Sequence, residues 1–273
     1  MSSQETQSNG PGAPSFSARL QAAAALTTIL SLHKIPHSFI GSFAFNLLGT
    51  SRSTLDIDLI IEDSAFSPDP PSANTPKPPK SPEPIHLIRQ LLVDSDERFS
   101  LVGGGLIPKL VFTAQTEAKK SPVPVPVETL RADSLGLPRH LRQDMTVCGI
   151  SVLPPRFLLL TKIKRCTKFL GSDWPKSVER FKSDEGDIKY LLKWLANENE
   201  NVDFKGYYHG STGAKVYDDE STKAVDNLVQ KVGELVRIWR GKGEDELETL
   251  EDLEKVLEEE DWKRGLELSD SHY

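Results

Sequence analysis

The stretch of sequence that decides the fold lies near the N-terminus, at residues 40–58, and reads IGSFAFNLLGTSRSTLDID. It opens on a Gly-Ser pair, continues through a short apolar segment and a polar loop, and closes on a D-x-D motif. Residues 55–61 alternate apolar and acidic side chains, which predicts a β-strand. Because residues two apart on a strand project from the same face, we expect Asp56 and Asp58 to lie side by side.

Two neighbouring carboxylates repel each other unless a cation lies between them. Mg²⁺ prefers oxygen ligands and often binds through one or two carboxylates together with substrate phosphates. The Gly-Ser pair suits the same chemistry, because Gly41 allows close approach of a phosphate and the Ser42 hydroxyl can donate to it. The alternative is that Asp56 and Asp58 face water on a half-exposed strand.

The elements around this stretch predict a small mixed sheet. We expect helices over residues 17–33, 43–48 and 85–92, and strands over residues 35–40, 99–102, 109–114 and 123–130. Residues 64–84 contain eight prolines and are expected to form an exposed insertion. Prolines 122, 124 and 126 are expected to confine the last strand to a sheet edge.

The second half of the chain has a helical pattern from about residue 150 onward. We expect four helices there, over residues 156–169, 184–196, 221–240 and 245–260. The predicted fold is therefore α/β (α+β), with a mixed sheet flanked by helices and then an all-helical region. The predicted domains are a disordered tail at 1–15, a core at 16–150 and a helical domain at 151–273.

Composition excludes several classes of protein. The 273 residues include 33 Lys and Arg against 40 Asp and Glu, a net charge of −7, which argues against a protein that coats nucleic acid. Cys148 and Cys166 cannot form a disulfide framework, and we expect reduced, buried thiols in a cytoplasmic or nuclear protein. The chain shows no signal peptide and no apolar run that could span a bilayer, so we expect no membrane association.

Residues 40–58 resemble the active-site signature of the nucleotidyltransferase (DNA polymerase β-like) superfamily. The stretch is similar in particular to the minimal nucleotidyltransferases of the AbiEii toxin-like group and their fungal relatives. The resemblance covers about residues 35–195, without the proline-rich insertion. It implies a nucleotidyltransferase core that uses Mg²⁺ or Mn²⁺ and a nucleoside triphosphate such as ATP.

The resemblance also implies roles for individual residues. Asp56 and Asp58 would be catalytic metal ligands, and Glu128 is the best match to the third carboxylate that such enzymes use, with Asp133 as a weaker substitute. Arg52 matches the basic residue of the first motif, Lys162 resembles the Lys of a later helix motif, and the segment from Asp184 to Asp187 fits a D-x-x-D. The implied nucleotide-binding set comprises Gly41, Ser42, Arg52, Thr54, Lys162, Asp184 and Asp187.

The motifs in residues 162–187 can also be interpreted from their residue types alone, without the resemblance. Residues 162–182 contain seven Lys and Arg against two acidic residues, which predicts a phosphate-binding patch or a solvated helix face. Lys162 lies in an apolar run and is expected to point inward. Asp184 and Asp187 are expected on one face of a helix start, where they would be catalytic, complement the helix dipole, or pair with Lys162 or Arg180.

The sequence thus predicts a Mg²⁺-dependent nucleotidyltransferase that moves a nucleoside monophosphate to an unknown hydroxyl acceptor on RNA, a protein or a small molecule. The alternative is a nucleotide-binding or protein-interaction protein on the same fold that has lost catalysis. The position of Glu128 separates the two hypotheses. A gap of more than about 7 Å from Asp56 and Asp58 would be too long for shared metal ligation and would favour the alternative.

Overall fold

The computed structural model describes residues 13–62, 84–103, 108–115, 122–132, 134, 137–138, 141, 145–202, 204–209 and 219–270. The expected insertion at 64–84 lies outside these ranges except for Pro84, as do Asp133 and residues 1–12 of the expected tail. The chain divides into two compact units. The first contains residues up to Ala132 with Gln143–Leu153, and the second contains Asp133–Arg142 with Pro154–Tyr273.

The first unit is a mixed α/β structure, as predicted. Its helices are α1 (Phe16–Leu32), α2 (Gly41–Leu47) and α3 (Pro84–Ser95). Its main strands are β1 (His37–Ile40), β2 (Ile57–Ile61), β3 (Phe99–Val102), β4 (Lys109–Ala114) and β5 (Val123–Arg131), and a small hairpin adds β6 (Thr146–Val147) and β7 (Ile150–Ser151). Ser15 caps α1 by accepting a hydrogen bond from the Ala18 backbone N–H, which explains where that helix begins.

The five main strands form one sheet in the order β1-β2-β5-β4-β3. Strands β2 and β5 run parallel, while the other neighbouring pairs are antiparallel. The expectation that prolines confine β5 to an edge is therefore wrong. Strand β2 pairs only with residues 127–131 of β5, so Pro124 and Pro126 lie where β5 is paired with β4 alone. The missing N–H groups thus fall outside the ladder that makes β5 central.

One face of the sheet carries the hydrophobic core. Residues 57, 59 and 61 of β2 are fully buried and pack with α1, α3 and the inward side chains of β4 and β5. Side chains alternate along a strand, so the residue between Ile57 and Leu59 points to the opposite face. The apolar alternation therefore turns Asp58 away from α1 and α3 and towards the side where the candidate site lies.

The second unit is all-helical among its described residues. Its helices are α4 (Pro155–Cys166), α5 (Pro175–Glu198), α6 (Phe204–His209), α7 (Asp219–Lys242), α8 (Leu247–Val256) and α9 (Glu259–Asp270). Helix α5 begins nine residues earlier than predicted, with Pro175 in its first turn, where proline's fixed φ suits a helix. The single helix expected over 245–260 is wrong, because α8 and α9 are separate there.

The two cysteines are free, but they differ in environment. Cys166 is buried, and its burial, with Asp184 and Glu185 nearby, raises the pKa of its thiol to about 12. Cys148 is exposed, which corrects the expectation that both thiols are buried. It lies at positive φ in the turn between β6 and β7. Among the described helices, none has the length and apolar character that crossing a membrane requires.

The core assignment predicts a clear difference between two leucines in the segment that carries the D-x-D motif. Leu59 is fully buried, whereas Leu55 is 63% exposed. We expect Leu59→Ala to lower the free energy of unfolding by about 2–5 kcal/mol, because it leaves a cavity in the core. Leu55→Ala should change it by no more than about 0.5 kcal/mol. Urea denaturation followed by circular dichroism measures both, and equal effects would contradict the placement of β2.

Candidate active site

Three carboxylates meet on the face of the sheet that is turned away from α1 and α3. Asp58 on β2 and Glu128 on β5 are direct partners in the parallel ladder. Asp56 lies two residues before Asp58, just ahead of the strand. Each of the three offers a carboxylate oxygen within 4.8 Å of the other two. Asp56 and Asp58 are half-buried, and Glu128 is exposed.

Within the described part of the chain, these three form the one cluster of potential metal ligands that is compact enough to share an ion. Mg²⁺ binds oxygen at about 2.1 Å, so two ligand oxygens on opposite sides of one ion lie about 4.2 Å apart. The spacing in this cluster fits that requirement with small side-chain adjustments. Glu128 is therefore well inside the limit that separated the two hypotheses.

Gly41 shapes the wall of this site. It begins α2 with a φ of +65°, in the left-handed region that glycine adopts without penalty. A Cβ at this position would overlap the Asp58 Oδ2 atom and lie 2.8 Å from the Asp58 Cγ atom. Glycine is thus required for conformation and for space, because the Asp58 carboxylate fills the volume that a side chain would take. Ser42, the next residue, is half-buried.

The loop between α2 and β2, residues 48–56, carries Arg52, Thr54 and Asp56. The Thr54 hydroxyl donates to the Asp56 Oδ1 atom at 3.0 Å and to the Asp56 carbonyl at 3.2 Å. Thr54 therefore orients the first carboxylate of the cluster, rather than presenting its hydroxyl proton to a ligand. The Arg52 carbonyl accepts a hydrogen bond from the Asn46 amide at 2.6 Å.

Two arginines that sequence reasoning missed lie close to the cluster. Arg19 on α1 is 3% exposed and donates to the Thr54 carbonyl. Arg89 on α3 donates from Nε to the Thr129 hydroxyl at 2.6 Å, next to Glu128 in the chain. Burial lowers the pKa of both guanidinium groups. The charge of Asp56 opposes that shift at Arg19, and the charge of Glu128 opposes it at Arg89.

A sequence signal for Arg19 did exist. It is the only charged residue in the 17-residue helix α1, whose buried face is otherwise made of Ala, Leu and Ile. A lone charge in an apolar helix must be paired when it is buried. The same signal correctly indicated that Lys162 points inward, and it could have been applied to Arg19.

The remaining predicted site residues lie in the second unit, where they contact one another. Lys162 on α4 is 6% exposed, and its Nζ atom lies 3.2 Å from Asp184 Oδ1 and 2.6 Å from Asp187 Oδ2. Arg165 also donates to the Asp184 carboxylate. Among the alternatives left open, the structure shows the salt bridge to Lys162. Asp184 and Asp187 are buried in the middle of α5 and not at a helix start, so complementing the dipole is ruled out.

A second buried carboxylate of α5 extends this network. Glu185 accepts a hydrogen bond from the Trp239 indole N–H at 2.8 Å and pairs with Lys242, both on α7. The carboxylates of α5 thus alternate between partners on α4 and partners on α7. Their positions are explained by helix packing, and their binding to a nucleotide stays a prediction.

Comparison with known proteins gives three solved structures of similar shape. An antigenic nucleotidyltransferase-like protein from Paracoccidioides brasiliensis is 17% identical with a TM-score of 0.48, over 81% of this chain and 91% of that chain. JHP933 from Helicobacter pylori is 12% identical with a TM-score of 0.42, over 95% and 91%. The antibiotic-resistance factor ANT(2'')-Ia is 11% identical with a TM-score of 0.35, over 67% and 94%.

These likenesses carry no argument about activity, because all three TM-scores are below 0.5 and all three identities are below 20%. No protein-family model matches the sequence, and no curated protein matches it. The expected relationship to the AbiEii-like group stays a prediction. The carboxylate cluster is therefore the feature of this chain that points to an activity.

Gly41→Ala tests the close fit between Gly41 and Asp58. We expect it to displace the Asp58 carboxylate and to weaken Mn²⁺ binding by about tenfold or more, since orientation of ligands commonly contributes that much to metal affinity. Electron paramagnetic resonance of free Mn²⁺ measures this. Gly171→Ala is the matched control, because Gly171 has a φ of +69° and nothing within 4 Å of its Cβ position. An equal loss of affinity in both variants would mean that backbone strain, and not the carboxylate, is responsible.

Asp184→Ala tests the structural role of the buried ion pairs. It would remove one carboxylate partner from Lys162 and one from Arg165, and we expect a loss of about 3–5 kcal/mol in unfolding free energy. The exposed pair of Lys193 and Glu248 provides the control. Glu248→Ala should cost less than about 1 kcal/mol, because water screens that pair. Guanidinium denaturation measures both, and a small effect of Asp184→Ala would restore a functional explanation for this residue.

Proposed function

We propose that this protein is a Mg²⁺-dependent nucleotidyltransferase that moves a nucleoside monophosphate from a nucleoside triphosphate to a hydroxyl acceptor. The observation that carries the proposal is the convergence of Asp56, Asp58 and Glu128 within 4.8 Å, beside Gly41 at the start of α2. Three carboxylates held this close repel one another, and binding of a divalent cation relieves the repulsion. Mn²⁺ has similar preferences for oxygen ligands and would suit the same residues.

Asp56 and Asp58 would hold the metal, with Glu128 as the third ligand from the neighbouring strand. When bound, the ion neutralises charge on the triphosphate and lowers the pKa of the acceptor hydroxyl. Gly41 and Ser42 would receive the β- and γ-phosphates, because the first N–H groups of a helix have no partner within the helix and a serine hydroxyl can donate to a phosphate oxygen. Arg52 would contribute positive charge from the adjoining loop.

The reaction joins the acceptor oxygen to the α-phosphorus and breaks the bond from that phosphorus to the bridging oxygen of the β-phosphate. Pyrophosphate leaves with the electron pair of the broken bond, in line with the attacking oxygen. Glu128 is the exposed member of the cluster, so it is the carboxylate that an acceptor can reach from solvent. One of its oxygens would take the hydroxyl proton as the new bond forms.

The candidate acceptors are hydroxyl groups on RNA, on a protein or on a small molecule. For the later motif residues, Lys162, Asp184 and Asp187, a role in nucleotide binding would require part of their ion-pair network to open. A protein that binds the nucleotide without transferring it is the competing outcome, and it is decided by assaying turnover as well as binding.

The proposal predicts that binding of at least one nucleotide depends on Mg²⁺ and on the cluster. We expect isothermal titration of wild type with ATP, CTP, GTP and UTP to show such binding, and Asp56→Asn/Asp58→Asn to lose it. The control is Asp94→Asn/Glu97→Gln, which makes the same charge change at exposed positions of the same unit. Transfer of an α-³²P label with release of pyrophosphate then separates a transferase from a binding protein.

Absence of binding for all four nucleotides in folded wild type would contradict the proposed function. Loss of binding in the control variant as well would mean that net charge, and not the carboxylate cluster, attracts the nucleotide.

A further inference from the structure

Arg19 occupies a buried position that is unfavourable for a charged side chain unless other groups compensate for it. It lies on the buried face of α1 with 3% of its surface exposed, among alanine and aliphatic side chains. A buried charge is tolerated when hydrogen bonds and opposite charges compensate for the lost water. The partners of Arg19 therefore show which part of the structure this residue serves.

The guanidinium of Arg19 lies over the Phe16 ring of the same helix, and the hydrogen-bond partners that the structure shows for it lie in or next to the loop that carries Asp56. One terminal nitrogen of the guanidinium donates to the Thr54 carbonyl, and the other lies 3.4 Å from the Asn46 Oδ1 atom. The Asn46 amide nitrogen in turn donates to the Thr50 carbonyl at 3.0 Å and to the Arg52 carbonyl at 2.6 Å. Arg19 and Asn46 together bind the carbonyls of every second residue from 50 to 54.

We call these hydrogen bonds from Arg19 and Asn46 to the loop the brace. The brace matters because loop 48–56 belongs to no helix or strand. In a helix or strand, backbone N–H groups would donate to these carbonyls. In this loop the side chains of Arg19 and Asn46 donate to them instead. The brace ends at Thr54, whose hydroxyl donates to the Asp56 Oδ1 atom at 3.0 Å. A continuous chain of hydrogen bonds therefore runs from α1 to the first carboxylate of the cluster.

The charge of Arg19 is also felt at the cluster. Burial lowers the pKa of its guanidinium, while the negative charge of Asp56 opposes the shift. The Arg19 Nε atom is buried without a hydrogen-bond partner, so the terminal nitrogens make the contacts. A planar fork with two separate donor groups suits this arrangement better than the single ammonium of a lysine.

We propose that Arg19 is a positioning residue for the carboxylate cluster: with Asn46 it fixes loop 48–56 so that Asp56 stands beside Asp58 and Glu128 before a cation binds. The benefit to cation binding rests on the proposed function, whereas the brace itself does not. The competing role is a counter-charge that merely offsets Asp56. The two roles predict opposite changes in metal affinity, because removing a counter-charge strengthens cation binding and removing a brace weakens it.

The first experiment measures the brace without metal or nucleotide. Hydrogen–deuterium exchange of the peptide covering loop 48–56 is compared among wild type, Arg19→Met and Asn46→Ala. We expect exchange in both variants to become about tenfold faster in this loop and to stay unchanged in β4 and β5, because local opening is set by local contacts. Asn46→Ala removes two carbonyl contacts and one acceptor of Arg19 but changes no side chain of α1, so it tests the brace even if Arg19→Met folds poorly.

The second experiment measures Mn²⁺ affinity on the same proteins with Arg19→Lys added. We expect a loss of about tenfold in Arg19→Met and a smaller loss in Arg19→Lys, which keeps the charge but not the fork. Arg98→Met is the matched control, because Arg98 pairs with Asp96 and packs over Phe112 near the other edge of the sheet. It should leave loop exchange and Mn²⁺ affinity unchanged.

Unchanged loop exchange in both Arg19→Met and Asn46→Ala would overturn the brace. Tighter Mn²⁺ binding by Arg19→Met would overturn it in favour of the counter-charge. If wild type binds no Mn²⁺, the proposed function fails, while faster loop exchange in the two variants would still support Arg19 as the residue that positions this loop.

Discussion

The site depends on one pairing, the parallel ladder that places Asp58 of β2 directly opposite Glu128 of β5. Like charges facing each other across neighbouring strands destabilise a sheet, and Asp56 adds a third negative charge within 4.8 Å. The register cannot slip to relieve this repulsion, because a shift of one residue would turn the buried side chains of Ile57 and Leu59 out of the core. The packing of one face of the sheet thus keeps the three carboxylates close together on the other face, although they repel one another.

Other residues of the first unit reduce the repulsion among these carboxylates or make room for them. Arg19 and Arg89 approach from α1 and α3 and act electrostatically on Asp56 and Glu128 respectively. Gly41 leaves the volume that the Asp58 carboxylate occupies. Arg19 also hydrogen-bonds the loop that carries Asp56, so these contacts fix where two of the three carboxylates lie. Such contacts organise the ligand oxygens without help from a bound ion.

Much of this could be predicted from the sequence, and the failures have physical causes. The strands and the D-x-D motif were evident because apolar and acidic residues alternate in β2, and the proximity of Glu128 was expected from the resemblance. The strand order could not be predicted from the sequence, because the prolines lie at one end of β5 and do not determine how its other end pairs. The early start of α5 was missed because its first turns are polar and exposed. Arg19 was missed because its place as the lone charge in an apolar helix was not weighed, and its partners, the Thr54 carbonyl and the Asn46 side chain, belong to no sequence motif.

The carboxylates of the two units differ in their burial and in how they are grouped. In the helical unit, Asp184, Asp187 and Glu185 each contact a Lys or Arg of the same unit. Such pairing is the usual solution for buried acids, because an unpaired charge loses its hydration without return. In the sheet unit, Asp56 and Asp58 are half-buried and Glu128 is exposed, and each offers a carboxylate oxygen within 4.8 Å of the other two. Three carboxylates that share so small a volume repel one another, and a divalent cation with its bound phosphates would relieve that repulsion.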